Sequence, residues 1–151
     1  MRGRSALETM FFGPAALTRA VLPQMRERKT GSIVQISSVG GLITAPGFGA
    51  YCAAKHALEA LSEALASEVA PFGIRVLIVE PGAFRTTYLA PRFAAFRPWT
   101  RTRRRSDPRV TTLPNQRLPL GADAVASMRG KLAQVAADID ANESVAVATA
   151  L

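Results

Sequence analysis

The spacing of apolar positions along this 151-residue chain switches between helical and strand-like periods, and the switches outline its elements. Over residues 6–28, Leu7, Phe11, Thr18, Val21, Leu22 and Met25 lie close to one helical face. That predicts a long helix, kinked or interrupted at Pro14 and Pro23. Lys29, Thr30 and Gly31 end it with a cation and a glycine. Residues 32–38 read as a short strand, and the run Ile33-Val34-Gln35-Ile36 suits a largely buried parallel one. Residues 39–49 hold Gly40, Gly41, Pro46, Gly47 and Gly49 and read as a loop shaped over a pocket. Helical spacing returns over 50–69, where Tyr51, Lys55, Leu58, Leu65 and Val69 fall within an arc of about 80° at 100° per residue. That arc should face the sheet and turn Glu59 and Glu63 to solvent. Pro71-Phe72-Gly73 stops this helix, and residues 74–79 form the next apolar strand. A strand–helix–strand connection of this length predicts a right-handed βαβ unit.

Beyond Phe84 the pattern decays. Residues 97–120 are rich in Arg, Pro and Thr and read as irregular. Residues 123–139 regain helical spacing, with Val125, Met128, Leu132 and Val135 on one side, while 143–151 is ambiguous between a short strand and a frayed end. The expected organisation is one partial domain over 1–151. It has a core at about 31–90, a basic irregular segment at about 97–120 and a C-terminal helix at about 122–141. The net charge of +8 is concentrated in Arg97, Arg101, Arg103, Arg104, Arg105 and Arg109, with Asp107 among them. No recognition helix or aromatic platform accompanies that run, so a solvated loop is expected rather than a nucleic-acid surface. No apolar stretch approaches the roughly 18 residues of a membrane span. Arg2 and Arg4 precede an apolar run that Glu8 and Pro14 interrupt, which is a poor leader sequence. The single cysteine, Cys52, excludes an internal disulfide and reads as a small filler. A cytoplasmic protein is expected.

The chemistry centres on Tyr51 and Lys55, whose spacing of four puts both side chains on one helix face. A neighbouring ammonium favours phenolate and pulls a tyrosine down from its usual pKa of about 10, toward a usable acid/base. Taken alone, such a pair is more often two amphipathic side chains at a surface. Its setting changes that reading: Ile36-Ser37-Ser38 ends the strand before it, and Pro81-Gly82 breaks the strand after it. Ser37 reads as a hydroxyl bonding local backbone, and His56 points about 100° away from Lys55, toward the surface.

Strand, Ser38, the Tyr51-x-x-x-Lys55 helix, strand, and Pro81-Gly82 with Thr86 resemble, in that order, the catalytic half of the short-chain dehydrogenase/reductase family. The resemblance runs from about Leu7 to about Pro91 and is strongest over 31–86. It implies an α/β fold, specifically the catalytic C-terminal half of a Rossmann-like, doubly wound parallel sheet. It also implies an NAD(P)-dependent oxidoreductase of alcohols or carbonyl compounds. Ser38, Tyr51 and Lys55 would be catalytic. Tyr51, Lys55, Pro81, Gly82, Phe84 and Thr86 would meet the cofactor, NAD or NADP, and no metal is implied. The family's paired helices imply a homo-oligomer, with the counterparts here at 6–28 and 50–69.

Departures from the family pattern accompany the resemblance. The Gly-x-x-x-Gly-x-Gly turn that cradles a pyrophosphate at a helix N-terminus is absent, so the chain resembles a truncated member. Met10 stands where the family places an asparagine, and a thioether cannot hold the contacts of an amide. Negligible cofactor binding by residues 1–151 alone is therefore expected. The alternative reading is a non-catalytic remnant serving as a helix-mediated interaction module.

Overall fold

Pro14 decides how the chain begins. It has no N–H to give the Met10 carbonyl, and its ring crowds that carbonyl. In the computed structural model, which describes residues 3–83 and 116–148, the helix opens there into a π-turn over Glu8–Phe12. This turn joins α1 (Gly3–Leu7) to α2 (Gly13–Arg28). The Gly13 N–H donates to the Glu8 carbonyl, the bond that defines a π-turn. Pro23 lies inside α2 without ending it, on the exposed side. The expected long helix is thus one helical path with a wide turn before Pro14. Its C-terminal stop is Lys29, at φ 51°, rather than Gly31. Gly31 instead opens the first strand, where an added Cβ would come within 2.7 Å of Met25 Sδ.

The sheet has three parallel strands among the described residues, in the order β1 (Gly31–Ile36), β2 (Ile74–Pro81), β3 (Arg117–Leu120). Between β1 and β2 run a 3₁₀ turn (Val39–Gly41), the long helix α3 (Gly49–Val69) and a second 3₁₀ turn (Ala70–Phe72). Gly73 closes the connection at φ 67°, the left-handed conformation glycine adopts without strain. The βαβ unit read from the sequence is therefore present. Its register pairs Gly31 with Ile74 and Ile36 with Val79.

Three expectations about burial and extent are corrected. β1 is not largely buried: Ile33 and Gln35 face inward while Val34 and Ile36 are 44% and 57% exposed. Only one face of β1 is covered: α2 packs on it, and Ile33 on that face meets Leu65 and Val69 of α3. On that face Gln35 Nε2 donates to Thr18 Oγ1 at 2.9 Å, a buried polar tie between β1 and α2. The segment read as irregular to residue 120 ends in strand β3, which pairs Ile78 with Arg117 and Pro81 with Leu120. Pro119 disguised it, and a proline is tolerated in a strand with one pairing edge. The C-terminal helix, α4 (Ala122–Ala148), runs into the stretch left ambiguous, as far as residue 148. Its apolar stripe is only partly used: Ala124 and Met128 are buried, whereas Leu132 and Val135 are exposed.

β2 is the core strand. Ile74 and every residue from Val76 to Glu80 are buried, as a central parallel strand requires. Ile33, Leu65, Val69, Ile74 and Val76 form one cluster, with Leu22, Met25, Ala66 and Phe72 packed around it. No helix among the described residues is long and apolar enough to cross a membrane. Ile78 has no exposed surface, so Ile78→Ala should cost about 2–5 kcal/mol. Equilibrium urea unfolding measures this, and a loss below 1 kcal/mol would show that β2 is not the load on which the fold rests.

Candidate active site

Both strands of the βαβ unit deliver their C-terminal ends to the same place, and the candidate residues collect there. Ser38 follows β1 in an extended conformation and caps the 3₁₀ turn, its Oγ accepting from Gly40 N–H at 3.1 Å. The same hydroxyl donates to the Pro81 carbonyl at the end of β2, a longer contact of 3.5 Å. Gly40 lies against the Tyr51 ring: an added Cβ would stand 3.0 Å from Tyr51 Cε1 and 3.6 Å from the buried Cys52 Sγ. A glycine is what lets the Ser38 turn approach the first turn of α3. One helical turn on, Lys55 Nζ donates to the Ile36 carbonyl at 2.8 Å. That bond pins the ammonium to the end of β1. The structure therefore gathers Ser38, Tyr51, Lys55, Pro81 and Gly82 at one sheet end. Phe84, Thr86 and the arginine run at 97–109 lie outside the described residues.

Burial lowers the Lys55 pKa by penalising its charge, and the carboxylate of Glu59, one turn further along α3, opposes that shift. Among the described residues Lys55 spends one of its ammonium protons on Ile36, so donors remain for a ligand. His56 hydrogen-bonds the Cys52 carbonyl through Nδ1 at 2.9 Å and takes no part in this cluster. Ser37 departs from expectation: its hydroxyl is buried and has no hydrogen-bond partner among the described residues. It faces Gly41, as does Glu59, where a Cβ would meet either side chain's oxygen at 2.7 Å.

Glu59 corrects a second reading, since it does not turn to solvent but is 4% exposed. The reason is Arg117 on β3. Its Nη1 donates to Glu59 Oε2 at 2.7 Å and also to Glu80, while Nη2 pairs with the exposed Glu63. A buried charge persists only when paired and hydrogen-bonded, and helical spacing gives no hint of a cation arriving from 58 residues away. A signal was available in Glu80: a carboxylate inside the apolar run 74–79 and its continuation demands a partner. Desolvation, and then the charge of Glu59, push the Glu80 pKa up from 4.5 to about 7, against the pull of Arg117. Burial works against the Arg117 charge, but its hydrogen bond to Glu63 and the surrounding carboxylates prevail and raise its pKa. Sequence reasoning also passed over Asp123, which accepts the Ala83 N–H at 2.6 Å. That hydrogen bond is the chief reason the Asp123 pKa is lowered.

A family model for short chain dehydrogenases matches residues 3–95. The chain belongs to the short-chain dehydrogenase family. Among its curated relatives, a 3-ketodihydrosphingosine reductase of Bacteroides thetaiotaomicron is 49% identical over 82 residues, 54% of this chain and 30% of that protein. Dehydrogenase/reductase SDR family member 7B of Danio rerio is 48% identical over 83 residues, 55% of this chain and 27% of that protein. The chain thus spans less than a third of the length of either relative. A crystal structure of a short-chain dehydrogenase from Streptomyces avermitilis superposes with a TM-score of 0.79 at 43% identity. The match covers 99% of this chain and 64% of that one. A Burkholderia cenocepacia short chain dehydrogenase in complex with NADP shares the fold at TM-score 0.71 and 21% identity. The partial Rossmann-like α/β reading is thereby established.

The Glu80 carboxyl makes short-chain dehydrogenase stability depend on pH here. Its folded pKa lies above the unfolded value, so the folded state binds the extra proton between pH 4.5 and about 7. Stability from this group is greatest below pH 4.5, falls as pH rises through that window and levels off above it. Glu80→Gln, a neutral isostere, should flatten the slope and stabilise the chain at pH 8 by roughly 3 kcal/mol or less. Urea midpoints at pH 5 and pH 8 measure the difference. Parallel wild-type and variant curves would mean that Glu80 titrates normally.

Proposed function

We propose that this chain carries the catalytic end of an NAD(P)-dependent oxidoreductase acting on a small alcohol or carbonyl compound. The observation that carries the reading is the Lys55 ammonium held 2.8 Å from the Ile36 carbonyl, with Tyr51 one turn earlier on the same helix and Ser38 at the adjoining strand end. Family membership agrees with it, and relatives solved with NADP support a nicotinamide cofactor, NAD or NADP. The residues present suit that group at its nicotinamide end. Lys55 has donors to spare for ribose hydroxyls, and the Pro81 carbonyl lies beside Ser38 at the same sheet end.

A bound nicotinamide nucleotide would supply the hydride in the reducing direction and take it in the oxidising one. The chain's own residues manage the oxygen. Ser38 Oγ exchanges its long contact with the Pro81 carbonyl for a hydrogen bond that polarises the substrate carbonyl, and the Tyr51 hydroxyl delivers the proton as negative charge develops. In the oxidising direction the Tyr51 phenolate accepts the alcohol proton. Lys55 stands one helical turn from Tyr51, its ammonium held at the end of β1 by the Ile36 carbonyl. Pro81, Gly82, Phe84 and Thr86 would line the nicotinamide. Neither the fold nor the relatives favour the alternative of a helix-mediated interaction module.

In the intact protein, Tyr51→Phe should leave the circular dichroism spectrum unchanged and lower kcat by about 10²- to 10⁴-fold, the usual worth of a positioned acid/base. Full turnover in that variant would end the assignment. Lys55→Met should reduce kcat and raise the cofactor KM by about tenfold, because the ammonium that is held at the end of β1 and has donors to spare for the ribose is lost. Unchanged kcat and KM would remove Lys55 from this role.

A further inference from the structure

We propose that β3 and the start of α4 form a two-point clasp that sets the Lys55 helix against the Pro81–Ala83 loop, with Arg117 and Asp123 as its positioning residues. The proposal rests on the oxidoreductase reading above. Both residues lie beyond the 3–95 stretch that the family model matches.

The first point is Arg117. Its planar guanidinium reaches Glu59 and Glu63 on α3 and Glu80 on β2, so one side chain ties the helix to the strand. Two of these ties border candidate site residues. Glu59 is one turn from Lys55, and Glu80 immediately precedes Pro81, whose carbonyl accepts from Ser38. A rigid fork that spans three carboxylates cannot be replaced by a lysine, which is a single point charge.

The second point lies six residues on. The Gly82 N–H donates to the Leu120 carbonyl at 2.9 Å, and the Ala83 N–H donates to Asp123 Oδ2 at 2.6 Å. The loop's main chain is therefore held from the strand and from the helix at successive residues. The carboxylate sits so close that a side chain on Gly82 would overlap it, and a Cβ on Gly121 would stand 2.5 Å from Asp123 Oδ1. Gly121, at φ 105°, turns the chain from β3 into α4 so that Asp123 meets the loop. The site halves, Tyr51 and Lys55 on one side and Pro81–Ala83 on the other, are thus referenced to one short segment. Placement at this precision matters because a shift near 1 Å in a reacting geometry can cost about 10²-fold in rate.

Neither residue needs to touch substrate, so the test reads position directly. In residues 1–151 without ligand, hydrogen exchange at the Ala83 amide, followed by NMR, should accelerate about tenfold in Asp123→Ala, the loss of one charge-assisted hydrogen bond. Asp123→Asn keeps an oxygen acceptor and should restore most of the protection. In the intact protein, Asp123→Ala and Arg117→Lys should raise the cofactor KM by about tenfold with a smaller change in kcat, and Asp123→Asn should again recover. Unchanged Ala83 exchange in Asp123→Ala overturns the clasp. Faster exchange with unaltered KM and kcat overturns its positioning role. A wild-type intact protein with no nicotinamide-dependent turnover sinks the oxidoreductase reading and this proposal together, whereas an active wild type with indifferent variants sinks the proposal alone.

Discussion

A carboxylate buried in the central strand is the constraint on which the rest of this structure depends. Glu80 occupies β2, flanked by residues that are nearly all out of solvent, and has no exposed surface itself. Left alone, such a group would hold its proton rather than carry a charge. Arg117 answers it, and in doing so brings β3 beside β2 and draws Glu59 into the interior. The pairing is incomplete: one oxygen of Glu80 and one of Glu59 have no hydrogen-bond partner among the described residues. Desolvation first, and then the charge of neighbouring Glu59, are the physical reasons Glu80 holds its proton toward neutral pH.

Around that cluster the parallel arrangement does the geometric work. Parallel strands end on the same side of the sheet, so Ser38 after β1 and Pro81-Gly82 after β2 are neighbours although 43 residues separate Ser38 from Pro81. α3 then crosses back over the sheet and presents its first two turns to those ends. Crevices at the carboxyl ends of parallel strands are where ligands bind in this class of fold. The small residues there have specific tasks: Gly40 makes room for Tyr51, and Gly82 makes room for Asp123.

Much of this was legible in the order of the residues. Local rules carry the helices and the first two strands, because helical and strand periods are written in neighbouring positions and the punctuating glycines and prolines sit between them. The candidate triad was legible too, since Tyr51 and Lys55 are four apart on one helix and Ser38 ends the adjoining strand. The π-turn before Pro14 was foreseeable only as an interruption; its width follows from which carbonyls the missing N–H leaves open.

What only the tertiary structure decided are the matters set by distant partners. The face of α3 illustrates it: the stripe of Leu58, Leu65 and Val69 is buried as its spacing requires, but Glu59 is buried as well because Arg117 meets it from β3. β3 itself was hidden behind Pro119, and its pairing with β2 is a long-range event that no local preference encodes. The same holds for α4, whose periodic stripe is buried at Met128 and exposed at Leu132. Periodicity names the face a helix would bury; whether that face is buried, and which charges join it, depends on contacts across tens of residues that the chain makes only once folded.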